Sequence, residues 1–281
     1  MDVFRTFSWA KRLAHILVYR LGGSRPWSRG YLDFRRKYVL NVIHQQELAD
    51  RFATNQSLPY RYGARLDERV VEYPWVLTRL GKQPARLLDA GSALNHDYIL
   101  DIIVMQKKSV VVCNLFQDMR FPRDHVSYIR GDLRNTPFSA GAFDEIVCIS
   151  TLEHVGLDSS QIYTSDLRYK EARPSDYRKV MGEFRRLLIP GGRLLLTVPF
   201  GQYQNNGWLQ QFDQSLIDDA VNVFNGQVRE QTFYRYTSEG WNLAQISDCT
   251  ECYYFDINTT RSFDSDFAAG ARAVACLDLV A

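Results

Sequence analysis

Four short stretches, in fixed order, constrain this chain more than its composition does: LLDAG at 87–91, GDLRNTPF at 131–138, FDEIVCISTLEHVG at 143–156 and LIPGGRLLLTVPF at 188–200. Each contains or follows a run of apolar and β-branched residues and carries polar or glycine residues at its end. Strands of that kind build an open α/β sheet, which holds its ligand outside the carboxyl ends of the strands. Leu87 and Leu88 are apolar in succession, as required where helices cover both faces of a parallel sheet. Asp89 closes that strand, and Gly91 opens the turn with no Cβ between the backbone and a ligand. The alternative for Asp89 is the N-cap of the next helix.

The turn continues Gly91, Ser92, Ala93, Leu94, Asn95, His96 and lacks the further glycines of a dinucleotide fingerprint. NAD or FAD would need them for approach to the pyrophosphate and for close helix packing, so neither is expected. The second strand is predicted over 109–113, with Val110, Val111 and Val112 as its buried run. A carboxylate that accepts from ribose hydroxyls normally follows such a strand about 20 residues after the glycine turn. Asn114 stands there; its amide can accept one such bond and donate another. Asp118 is a further candidate. The third strand, 126–130, leads to Gly131, Asp132 and Leu133. The fourth, 143–149, ends in Ser150, Thr151, Leu152, Glu153 and His154. His154 titrates near neutrality and is a candidate proton acceptor, or else a hydrogen-bonded packing residue. An amphipathic helix over 178–188 is stopped by Pro190-Gly191-Gly192 and feeds a fifth strand over 193–198.

These motifs together resemble the class I S-adenosylmethionine-dependent methyltransferases, in particular the branch acting on small molecules and sugars, over roughly residues 70–200. The resemblance implies a Rossmann-like α/β fold: seven strands, mostly parallel, with helices on both faces. It implies S-adenosylmethionine as cofactor, with Asp89, Gly91 and Ser92 beside its methionine part and Asn114 in the ribose position. Asp132 would read the adenine amine, with Leu133 packing on the ring. The end of the fourth strand would face the transferable methyl, with Ser150 on the cofactor and Glu153 on cofactor or substrate, a position that makes His154 the candidate catalytic base. No metal is implied.

At 281 residues, 46% of them hydrophobic, the chain can form one α/β domain with additions. The net charge of +2 gives no case for nucleic acid. Its distribution is uneven: residues 1–40 carry nine Lys or Arg against Asp2 and Asp33, a net of +7 that leaves −5 for the rest. Within this arm Phe4, Phe7, Ala10, Leu13, Ala14, Leu17 and Leu21 share one helical face. A basic amphipathic helix suits an anionic membrane surface. Because Trp9 and Ile16 interrupt its polar side, packing of the apolar face onto the domain or a partner, as a lid, is preferred over peripheral membrane contact. Arg20 interrupts HILVYRL, so neither a membrane span nor a secretory signal is expected. The five cysteines include one lone C-x-x-C at 249 and 252, where zinc is not expected. A reduced, cytoplasmic chain fits this usage.

The expected division is a basic helical extension over 1–70 and a methyltransferase domain over 71–281, with substrate insertions near 156–177 and 201–226. Pro74 is expected to limit any helix over 65–80. Tyr163 in the first insertion, and Gln202 and Tyr203 in the second, are the candidate substrate contacts. A helix is predicted over 209–224, and strands over 228–236 and 271–280, one of them reversed. Amides mixed with aromatics suit a neutral polyhydroxyl ligand, so O-methylation of a sugar or glycan precursor is the leading expectation. A small-molecule (natural product) methyltransferase, or a non-catalytic protein of the same fold acting as partner or scaffold, stand as alternatives.

Overall fold

The computed structural model describes residues 3–116 and 120–281, with side chains from residue 10 onward except Gln161. Asp118 and the side chains of Phe4, Phe7 and Trp9 lie outside the described parts. Eight strands form one sheet: β1 (Ala85–Ala90), β2 (Lys108–Asn114), β3 (Val126–Arg130), β4 (Phe143–Ile149), β5 (Leu188–Pro199), β8 (Gln227–Thr237), β9 (Gly240–Ala244) and β10 (Ala273–Val280). Their order is β3-β2-β1-β4-β5-β10-β8-β9, while β6 (Gln204–Asn205) and β7 (Gln210–Gln211) make a separate hairpin. The pairs β1–β2, β1–β4, β2–β3 and β4–β5 are parallel, and β10 is reversed against β5 and β8. The strand order turns back between β1 and β4, the switch point at which such sheets open a crevice.

The expected seven strands are present, and β9 is an eighth. It pairs antiparallel with β8, and its Trp241 is buried with the indole N–H donating to the Leu66 carbonyl at 2.9 Å. That tertiary contact holds a segment whose polar sequence reads as a connection.

The sheet is covered on both faces. Helices α1 (Val3–Leu21), α2 (Tyr31–His44), α3 (Gln46–Ala53) and α4 (Arg69–Arg79) pack on one side, with two short helices, α5 (Asp97–Leu100) and α6 (Ile103–Gln106). Helices α7 (Tyr177–Leu187) and α8 (Gln214–Phe224) pack on the other. Successive residues point to opposite sides: Leu87, Val147 and Leu195 join the cluster with Tyr31, Phe52 and Trp75, whereas Leu88, Ile146 and Leu196 join Phe184 and Phe224.

Three local expectations are corrected. Helix α4 runs through Pro74 unbroken. Proline there leaves the Val70 carbonyl without its helical partner, and the Tyr62 hydroxyl donates to it at 2.6 Å. Strand β5 begins at Leu188, and a register irregularity opposite Phe143 and Glu145 absorbs Pro190-Gly191-Gly192. Helix α8 starts at Gln214, because the Asp213 carboxylate caps it by accepting from the Leu216 N–H at 2.9 Å. A fourth correction concerns α1. Its inward residues are Ile16 and Tyr19, while Leu13, Leu17 and Leu21 face outward, so the apolar face expected to pack is the uncovered one.

Candidate active site

A cavity of about 450 Å³ opens at the carboxyl ends of β1, β2 and β4. That volume lies within the roughly 300–1,000 Å³ usual for small-molecule sites. Gly91, Ser92, Asn114, Asp132, Leu133, Ser150, His154 and Tyr163 all line it, brought together from five separate parts of the sequence.

The turn after β1 crosses the end of β4 at close range. Gly91 has φ +99°, and a Cβ there would collide with the Thr151 side chain. Glycine is therefore required by the fold itself as well as by any ligand. Its neighbour Ser92 also has positive φ, and its hydroxyl accepts from the Asn114 amide at 3.1 Å. Asp89 stands behind the wall, fully buried, with its carboxylate accepting from the Leu94 N–H at 3.1 Å. In this position Asp89 shapes the glycine turn and does not reach the cavity.

Asp132 reaches the cavity already engaged. Its carboxylate accepts from the Arg134 backbone N–H at 2.9 Å and from the Arg134 guanidinium at 2.7–3.0 Å. Partial burial pushes this carboxyl upward, but the Arg134 bonds outweigh it and hold the group below the usual carboxylate range. Arg134 also bonds Glu171 at 2.6 Å and Asp176 at 2.8 Å. One guanidinium thus ties the segment after β3 to the insertion between β4 and α7. A carboxylate offers about four lone-pair sites, so Asp132 can accept a further donor without releasing Arg134.

The end of β4 is riveted from behind. Ser150 has φ +37°, and its hydroxyl donates to Glu72 at 2.6 Å; Thr197 on β5 donates to the same oxygen at 2.7 Å. The other Glu72 oxygen pairs with Arg69, whose side chain lines the cavity.

His154 carries the most specific geometry. Its Nδ1 lies 3.0 Å from the Trp208 carbonyl, and its ring stacks on the Trp208 indole at 5.3 Å. A carbonyl only accepts, so the ring proton sits on Nδ1 and Nε2 keeps its lone pair. Nε2 is 3.4 Å from the Tyr163 hydroxyl and 3.8 Å from Glu153. Burial pulls the imidazole down to about 4, against the opposing effect of the Trp208 bond. The ring is therefore neutral at pH 7. Glu153 is buried behind the wall, and desolvation holds its carboxyl well above the usual range. Tyr163 is half-exposed, but desolvation at its hydroxyl end pushes the phenol up to about 12, so it remains a hydroxyl, and its ring stacks on Phe116 at 5.9 Å.

Gln202 and Tyr203 do not join this wall; both are exposed beside the β6–β7 hairpin. The amides of that stretch serve the fold: Gln211 donates to the Gln202 and Cys252 carbonyls, and Gln210 donates to the Pro174 carbonyl at 2.6 Å. Sequence reasoning missed Arg35, Arg69, Tyr73, Phe116 and Glu171, all of them in the wall. Arg35 pairs with Asp67. The basic arm was the available signal for Arg35, since it comes from that segment; nothing local marks the others.

The wall suits S-adenosylmethionine. The Gly91–Ser92 turn, Asn114 and the Asp132–Leu133 pair all line one cavity at the switch point. Residues 90–196 match a family model described as a methyltransferase domain. A comparison with curated proteins returned no match. Among solved structures, the chain is similar to a 1,6-didemethyltoxoflavin-N1-methyltransferase of Burkholderia thailandensis solved with 1,6-didemethyltoxoflavin and S-adenosylhomocysteine. Identity is 12%, over 70% of this chain and 71% of that one, with a TM-score of 0.43. It is also similar to an S-adenosylmethionine-dependent methyltransferase of Mesorhizobium loti, at 11% identity over 75% and 97% of the two chains and a TM-score of 0.46. A third is the N-methyltransferase NodS of Bradyrhizobium japonicum in complex with S-adenosylhomocysteine, at 11% identity over 70% and 77%, with a TM-score of 0.37. Residues 90–196, from the end of β1 into β5, thus match a methyltransferase-domain model over the strands and turns that build this cavity, whose wall suits S-adenosylmethionine.

Proposed function

We propose that this chain transfers a methyl group from S-adenosylmethionine to a hydroxyl of a saccharide acceptor held beside His154. The observation that carries this reading is the His154 ring, with its proton fixed on Nδ1 by the Trp208 carbonyl and its Nε2 lone pair facing the Tyr163 hydroxyl at 3.4 Å, a long contact that an acceptor hydroxyl can replace. When bound, the cofactor supplies a methyl on a sulfonium, which is already a good leaving group. What remains for the protein is to place the acceptor in line, exclude water and take one proton. Nε2 of His154 takes the proton of the acceptor hydroxyl. Tyr163 keeps its own proton and donates toward the same place.

Support for a sugar ring comes from the wall itself. The stacked rings of Phe116 and Tyr163, with Tyr169 edge-on to Phe116 at 5.0 Å, line the same cavity as Ser159. Flat apolar faces with a hydroxyl in the same wall suit the C–H faces and O–H edges of a saccharide. The Gln202–Gln211 segment contributes nothing to this, being outside the cavity.

The cofactor half is tested by thermal unfolding. A ligand held only by the native state stabilises it by about 2.7 kcal/mol at 100 times its Kd, and S-adenosylhomocysteine should raise the Tm accordingly. Asp132→Asn should weaken that response by roughly 10–100-fold in affinity, the usual worth of a hydrogen bond to a charged group. No shift in the unsubstituted protein would favour the non-catalytic reading. The acceptor half is tested by mass spectrometry of glycans from cells lacking the protein. Loss of a methyl ether from one sugar is the expected result; unaltered glycans with a methylated small metabolite missing would overturn it.

A further inference from the structure

Among its described side chains, from Ala10 onward, helix α1 is held by one side only. Ile16 and Tyr19 are buried, and the His15 Nδ1 bonds Asp33 of α2 at 2.8 Å. Gly30, just before α2, approaches the His15 carbonyl so closely that any Cβ would collide with it. On the other side Ala10, Leu13, Ala14, Leu17, Val18 and Leu21 are exposed, Leu17 by 58% and Leu21 by 79%. At 100° per residue these six span an arc of about 140°. Lys11 stands at the Val18 border of that arc and Arg20 at the Leu13 border. The helix carries Arg5, Lys11, Arg12 and Arg20 and no acidic residue.

An apolar arc edged on both sides by cations, within an arm of net charge +7, complements one kind of surface. We propose that α1 docks on an anionic lipid bilayer, with Leu13, Leu17 and Leu21 in the acyl boundary and Lys11 and Arg20 at the headgroups. A protein partner would have to be acidic along both borders and apolar between them, whereas an anionic bilayer offers that layering everywhere. Among the described residues no helix is long and apolar enough to cross a membrane, so α1 lies on the surface and does not span it. Helix α2, on which α1 rests, carries Arg35 of the cavity wall, so docking holds the cavity near the lipid surface. This inference stands on α1 alone and does not depend on the reaction proposed above.

The test is sedimentation of the full chain with vesicles. It should bind vesicles of equal parts phosphatidylcholine and phosphatidylglycerol, release at raised salt, and stay in solution with phosphatidylcholine alone. The double variant Leu17→Glu, Leu21→Glu should lose binding by about tenfold or more. Its Tm should be unchanged, because both side chains are exposed. Equal binding to neutral vesicles, or unchanged binding by the variant, would overturn the proposal. So would a dimer in solution that the same two substitutions dissolve, since a second copy would then cover the face.

Discussion

Replacing His154 by glutamine is expected to lower kcat by about 10²–10⁴-fold, the usual worth of a positioned general base. Affinity for S-adenosylhomocysteine should change little, because in the proposed arrangement the ring faces the acceptor and not the cofactor. The wild-type pH profile separates this role from packing. Burial lowers the imidazole to about 4, so the neutral, reactive form predominates at all higher pH. Activity should therefore hold steady from neutrality down to about pH 5 and fall as the ring protonates near 4, well below the ordinary histidine range. A profile that falls near 6.5 would mean the ring is not held as described. Full activity in His154→Gln across that range would remove the base role and leave positioning alone to account for catalysis.

The parts of this protein legible in the sequence are those whose physics is local. A parallel strand covered on both faces must be apolar at successive positions, so Leu87-Leu88 and the Phe143–Ile149 strand declare themselves. The residues immediately after them fall at the switch point whatever the rest of the chain does. This is why Gly91, Asn114, Asp132 and Ser150 share one wall. Asp89 lies one residue before the strand end, and the strand's alternation turns it into the interior. The stretch around Gln202 misled for a different reason. Amides read as ligand-seeking in isolation, but Gln210 and Gln211 find backbone carbonyls at Pro174 and Cys252, which only tertiary structure brings near. Beyond the basic character of the arm that holds Arg35, nothing marked Arg35 or Arg69, because they precede β1 in the chain and reach the cavity only through the packing of α2 and α4. For α1, periodicity identified residues sharing a face but could not say which face would be covered. Tyr19 and Ile16, backed by the close approach at Gly30, decided that.

The second large effect is expected at Glu72, far from any motif. Its side chain is fully buried in α4, yet it joins three elements: Arg69 on its own helix, the Ser150 hydroxyl at the end of β4 and the Thr197 hydroxyl on β5. Ser150 sits at φ +37°, a conformation uncommon for a residue with a Cβ, and its N–H is held by the Thr197 carbonyl at 3.0 Å. The Glu72 carboxylate is what fastens the side chain of that bend to the helix behind it. Glu72→Ala leaves two buried hydroxyls and one mostly buried guanidinium without their acceptor. Breaking a buried ion pair from one side costs about 3–5 kcal/mol. For a chain somewhat larger than 250 residues each kcal/mol shifts Tm by roughly 2 °C, so a fall on the order of 10 °C is expected. Glu72→Gln keeps the shape and one acceptor oxygen, and should fall by less. Because Arg69 and Ser150 both line the cavity, the alanine variant should also lose most of its thermal response to S-adenosylhomocysteine, beyond what its lower starting Tm explains. If both variants melt within about 2 °C of the unsubstituted protein, the rivet is not a stabilising contact, and the bend at Ser150 must be held by the sheet alone.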